Sequence, residues 1–160
     1  MEKRLSYRAL RGIKWLIVVG VFALLIVAVT RIVLHQLRPV QMVSLGGSVF
    51  RAEIVDEPET RARGLSGRTT LGADEAMLFV FEADGSLPIW MKGMKFPIDI
   101  VWLDQDRRIV HIERHVQPDA EPYHTYESPA PARYVLEVAA GQADVSIGAV
   151  ATFDVASEGL

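Results

Sequence analysis

Twenty residues near the N-terminus, WLIVVGVFALLIVAVTRIVL from Trp15 to Leu34, carry a single charge, Arg31. Coiled at 1.5 Å per residue, such a run reaches about 30 Å, the thickness of a bilayer's hydrocarbon core. Trp15 stands where an interfacial aromatic belongs, and Arg31 is close enough to the far edge to snorkel. The run reads as a transmembrane helix over residues 15–34. Lys3, Arg4, Arg8, Arg11 and Lys14 precede it against one acid, Glu2, and only Arg31 and Arg38 follow before the next segment. Positive charge stays inside, so residues 1–14 are expected as a cytoplasmic basic segment. Everything beyond the helix is then expected outside the cytoplasmic membrane, in a periplasm or a cell wall. The rival reading is a cleaved signal peptide and a secreted domain, since small residues (Ala28, Thr30) follow the apolar core. The length of the run suits an anchor better.

The chain has no cysteine, which excludes both disulfides and a lipid-modified cysteine terminus. The first forty residues hold seven basic residues and one acid, which leaves ten basic against nineteen acidic beyond them, a net of −9. An acidic domain of this kind lacks the clustered Lys and Arg that phosphate contacts need, so no nucleic-acid partner is expected.

Residues 35–47 read as a linker, broken by Pro39 and Gly46-Gly47. Strand-like segments follow at 48–55, 76–81, 89–91, 98–103, 108–116, 133–139 and 149–155, separated by turn residues. "IDIVWL" (98–103) is apolar on both faces, as a central strand should be. One or two helical turns are expected after Asp56, read as the cap, with Gly64 as the stop. A further brief helical turn is expected in "AGQADVSIG". "QPDAEPYHTYESPAPA" reads as a long loop. The pattern predicts an all-β domain over residues 48–156, a compact β-sandwich of jelly-roll kind or a small barrel.

The residues 48–155 resemble the bacterial and archaeal family known as domain of unknown function 192, DUF192. The likeness rests on Gly64-Leu65 with Arg68, Met77-Leu78-Phe79-Val80-Phe81, Trp90-Met91-Lys92 and Pro97-Ile98-Asp99-Ile100. After the hairpin it continues through Pro118 and Tyr134-Val135-Leu136-Glu137 to Gly141. This chain departs from the family pattern at Ser66, where Met is frequent, and at Gly93-Met94, where Asn-Thr is frequent. The resemblance implies a compact, mostly β fold and no established activity.

Two carboxylates stand out. Asp99 shares a strand face with Val101 and Leu103, and Glu137 shares one with Val135 and Ala139. A carboxylate between apolar layers must be paired, hydrogen-bonded or used. One reading pairs Asp99 or Glu137 with Lys92 or Arg68 as a structural lock. The other gathers Trp90, Lys92, Asp99, Glu137 and Arg68 around a pocket that binds a small molecule, an envelope glycan or a partner protein. A small envelope-directed hydrolase using Asp99 and Glu137, and a structural accessory of a membrane complex, are the alternatives.

"HIERH" puts His111, Glu113 and His115 at i, i+2 and i+4, on one face of a regular strand and in the residue types of a metal set, with His124 as a distant fourth. A wet polar face is the plainer account, and no metal or cofactor is expected. "GLSGR" is neither a nucleophile elbow nor a phosphate loop. No catalytic motif is present.

Overall fold

The computed structural model describes residues 7–36 and 40–154, with the side chains of the first segment described over 14–30. Contacts divide the chain into two units, Met1–Arg38 and Pro39–Leu160. The first contains helix α1 (Tyr7–Gln36). Its side chains from Trp15 to Val29 are apolar and exposed around the whole helix. Among the described residues no helix is long and apolar enough to cross a membrane. The side chains of residues 31–34, the end of the span read from the sequence, lie outside the described residues, as do residues 1–6 of the basic segment.

The second unit opens with a hairpin of β1 (Val40–Leu45) and β2 (Ser48–Val55). Residues 40–45, read as linker from the sequence, are therefore a strand, with Val43 and Leu45 buried and Val40 and Met42 exposed. The turn needs its glycines. Both take positive φ, and a Cβ on Gly46 would stand 2.2 Å from Val145 Cγ1.

Helix α2 (Pro58–Arg63) crosses from β2 to β3 (Glu75–Gly85), which lie parallel and so require such a crossover. Its cap is Glu57 rather than Asp56, without a side-chain bond, and Pro58 supplies the preset φ of a first turn. Gly64 ends it, as expected. β4 (Ile89–Trp90) comes next, then β5 (Ile98–Leu103), β6 (Ile109–Val116), β7 (Thr125–Tyr126) and β8 (Ala132–Ala139).

The main sheet has six strands in the order β1-β2-β3-β8-β5-β6, and β4 pairs with β7 in a small second sheet. The domain is thus mostly β, but built on one mixed sheet where a sandwich would stack two. Of the segment read as a last strand, residue 155 lies outside the described residues, and 149–154 make no full strand. Instead Thr152 bridges Ser44 on β1, and Val150 bridges Arg108 beside β6, so this segment joins the two sheet edges. The helical turn expected in 140–148 is absent from the described residues, where 140–141 and 147–148 are turns and 142–146 are irregular.

Both faces of the sheet are covered, which explains why every residue of β5 is buried. Alternation sends Val101 and Leu103 into a core with Val43, Phe50, Leu136 and Phe153. It sends Ile100 and Trp102 into another with Leu65, Met77, Phe79 and Val135. Trp102 is fully buried, worth roughly 4–6 kcal/mol at about 25 cal/mol per Å² over ~150–250 Å². Its Nε1–H donates to the Leu87 carbonyl at 2.9 Å, so the indole buries no orphan donor.

Candidate functional site

The two carboxylates that the sequence singles out meet different fates. Asp99 is fully buried on the Val101 face. Its Oδ1 accepts from the His115 N–H at 2.8 Å, and its Oδ2 accepts from the Gly141 and Ala143 N–H groups at 2.9 and 3.1 Å. Three backbone donors thus converge on one carboxyl, tying β6 to the turn after β8. This is a latch.

The latch explains the fate of the histidines. Ile98 pairs with Val116 and Ile100 with Glu113, so β6 carries one extra residue there, and His115 sits in the bulge at φ 52°. The bulge breaks the two-residue period on which a shared face of His111, Glu113 and His115 depends. His111 Nε2 and Glu113 Oε1 stay together at 3.0 Å, but His115 leaves the row and its ring is exposed. His111 packs on Trp102, and His124 packs edge-on to Tyr126. Among the described residues no group of three such side chains could hold a metal ion.

Glu137 lies opposite Met77 on β3 and Ile100 on β5, hence on the other face of the sheet from Asp99. The sequence reading joined the two around one mouth. The register separates them, because Asp99 pairs with Val138, one step along the ladder.

Glu137 is buried at a pocket of about 390 Å³. Phe79, Phe81, Leu65 and Trp90 give the pocket apolar walls, and Arg61 and Arg63 contribute charge to its lining. Loss of water pushes the Glu137 carboxyl up to about 8, with Arg68 pulling weakly the other way. Among the described residues no side chain hydrogen-bonds to it. Arg68 is spent elsewhere: its guanidinium donates to Glu53 Oε2 at 2.6 Å, and that bond, more than anything else, raises its own pKa.

The pocket wall is built by local devices. Gly64, at φ 49°, turns the chain out of α2 so closely over Phe79 that an added Cβ would stand 3.3 Å from Cζ. Ser66 Oγ donates to the Lys92 carbonyl at 2.6 Å, and the Gly67 N–H donates to the Gly93 carbonyl at 3.0 Å. These bonds clip the loop after α2 to the loop after β4. Arg61 donates to the carbonyls of Val80 and Asp56, and its guanidinium lies 4.8 Å from the Phe81 ring centre. Its charge is therefore partly committed, and that of the exposed Arg63 is freer.

Of the residues expected to form a site, the structure brings Glu137 and Trp90 to the pocket. Arg68 stands near enough to act on Glu137 through its field. Lys92 is exposed, its ammonium 5.6 Å from the Trp90 ring centre and 6.0 Å from that of Tyr123. Among the described residues it makes no ion pair with Asp99 or Glu137. Sequence reasoning missed Arg61, Arg63, Phe79 and Phe81 as lining. The i, i+2 spacing of Met77, Phe79 and Phe81 was a signal, but only the β3–β8 register reveals that this row stands beside Glu137.

Gly64, Leu65, Phe79, Phe81, Trp90 and Glu137, all residues of the family likeness, line this pocket. So do Ser66 and Met94, two positions where the chain departs from the family pattern.

Among solved structures, a protein from Sinorhizobium meliloti, provisionally described as a transcription regulator, is 27% identical with a TM-score of 0.65. The match covers 71% of this chain and 92% of that one. A protein of unknown function from Novosphingobium aromaticivorans is 27% identical with a TM-score of 0.64, over 72% of this chain and 84% of that one. No curated protein matches the chain significantly. The profile of DUF192, described as uncharacterized ACR, matches residues 41–152, more than half of the chain. The chain belongs to the DUF192 family.

Proposed function

We propose that this is a single-pass protein anchored in the cytoplasmic membrane, whose outer β domain binds a small molecule in the pocket at Glu137. The observation that carries the binding reading is a buried carboxyl without a hydrogen-bond partner among the described side chains, facing about 390 Å³ of largely apolar space. A pocket of this size falls at the lower end of the range for small ligands. With its carboxyl raised to about 8, Glu137 is mostly protonated at pH 7 and can donate a hydrogen bond. The ligand class is therefore a molecule with an apolar or aromatic body and an acceptor head, with Arg63 able to meet a negative group.

The anchor reading rests on α1, whose side chains from Trp15 to Val29 are apolar all round, and on the charge asymmetry before it. The hydrolase reading needs both carboxyls at one bond, and opposite faces of the sheet deny it that. The exposed Trp90–Lys92–Tyr123 surface is where a glycan or a protein partner would be sought instead.

Three probes with the same body and different heads, phenylpropionate, phenylpropanol and phenylpropylamine, test the pocket by thermal shift of the full chain in lipid nanodiscs. The acid and the alcohol should raise the melting temperature at pH 7, and the amine should not. A rise with the amine alone, or with none of the three, contradicts the assignment.

A further inference from the structure

The outer face of the β1–β2 hairpin carries three exposed apolar side chains beside its charged ones. Directly opposite residues of an antiparallel pair share a face. The register Val40–Glu53, Met42–Arg51 and Ser44–Val49 therefore puts Val40, Met42 and Val49 on one side, away from the core residues Val43, Leu45 and Phe50. Val150 and Thr152 continue this surface, because Thr152 bridges Ser44 while Ala151 and Phe153 point inward. Val40, Met42, Val49 and Val150 are each about half exposed, between 49 and 54%.

The charges on the same face are matched. Arg51 pairs with Glu75 at 2.9 Å, and Glu53 pairs with Arg68 at 2.6 Å. A domain whose net charge is −9 thus presents a stripe that is apolar and locally balanced. The stripe also begins at Val40, and only three residues separate Val40 from Gln36, the last residue of α1. Four Cα steps reach at most about 15 Å. The headgroup layer on each side of a bilayer is about 5–8 Å deep.

We propose that this face, Val40, Met42, Val49 and Val150, rests on the lipid headgroup layer outside the span. The proposal rests on the anchor reading: if α1 crosses the bilayer, a tether of at most about 15 Å keeps Val40 within reach of the headgroup layer. An apolar, charge-balanced face meets that surface without the repulsion that anionic lipid exerts on the acidic remainder. A second chain is a poorer occupant. The β1 edge is already bonded at Ser44 to Thr152, and four side chains fall far short of the roughly 1,200 Å² of a stable protein interface.

The chain has no cysteine, so single-site spin labelling needs no background removal. Labels at Leu24→Cys, Met42→Cys, Val49→Cys and, as an aqueous control, Glu59→Cys would be read in nanodiscs by collision with oxygen and with a polar nickel chelate. Expected are a strong oxygen preference at position 24, an intermediate one at 42 and 49, and nickel preference at 59. If 24 lies in lipid while 42 and 49 behave like 59, docking is wrong and the anchor stands. If 24 is aqueous, the anchor reading falls and takes this proposal with it. If 42 and 49 are shielded from both reagents, a protein covers the face and the lipid assignment is overturned.

Discussion

Asp99 and Glu137 occupy neighbouring strands one step apart along the ladder, both buried, on opposite faces of one sheet. Asp99 accepts three backbone hydrogen bonds, whereas Glu137 accepts none from a described side chain and faces a pocket. Burial by itself therefore says little about what a carboxyl does. Its hydrogen-bond partners decide. The first carboxyl has its needs met by the fold, and the second is left facing the pocket.

The largest effect should come from breaking the latch. Asp99→Ala strands three backbone donors, that of Ala143 buried and the other two partly so, and should cost on the order of 3–5 kcal/mol, read as a lower urea midpoint. Asp99→Asn keeps one acceptor oxygen and should cost less. A loss below about 1 kcal/mol for Asp99→Ala would place the two carboxyls in one class.

A comparable effect, opposite in sign, belongs to Glu137. Its folded pKa, about 8, exceeds the ordinary 4.5, so the folded chain holds a proton that the unfolded chain gives up between those values. Glu137's contribution to the unfolding free energy should therefore be fully present below about pH 4.5 and fall as pH rises toward 8, by about 4 kcal/mol. Glu137→Gln should flatten that slope and be the more stable protein above pH 8. Glu75 acts in a different window: its pKa is lowered, chiefly by the Gly72 N–H, so its contribution is present above 4.5 and is lost as pH falls. Urea titrations from pH 3 to 9 separate the two.

Trp90→Ala should change stability by about 1 kcal/mol or less, because the side chain is half exposed. It should still abolish the thermal shift produced by phenylpropionate. The smallest effect is that of Arg68→Gln. With the positive field gone, the Glu137 carboxyl should titrate slightly higher, which an NMR titration resolves.

Much of this contrast could be read from the residues. Asp99 and Glu137 were conspicuous as acids in strands otherwise apolar, and "IDIVWL" was rightly read as an inner strand of the sheet. Their separation was not legible. The pleat tells which residues of one strand share a face, but only pairing across strands tells which face of the next strand adjoins it. The row of His111, Glu113 and His115 failed for a related reason, since an inserted residue shifts the period and no local signal marks the bulge. Residues 40–45 hid as a linker because Pro39 and Gly46-Gly47 frame them and only Val43 and Leu45 are fully buried. The pocket wall was least legible of all. Arg61 and Leu65 after β2 meet Trp90 and Glu137 only through the tertiary fold.

The most direct test is the carboxyl carbon of Glu137, followed by NMR against pH in the full chain with labelled glutamate and assigned by comparison with Glu137→Gln. A midpoint near 8 is expected in the unliganded protein. A midpoint in the ordinary glutamate range, about 4.3, would mean that Glu137 is ionised and solvated at pH 7, and would contradict the pocket's assigned chemistry.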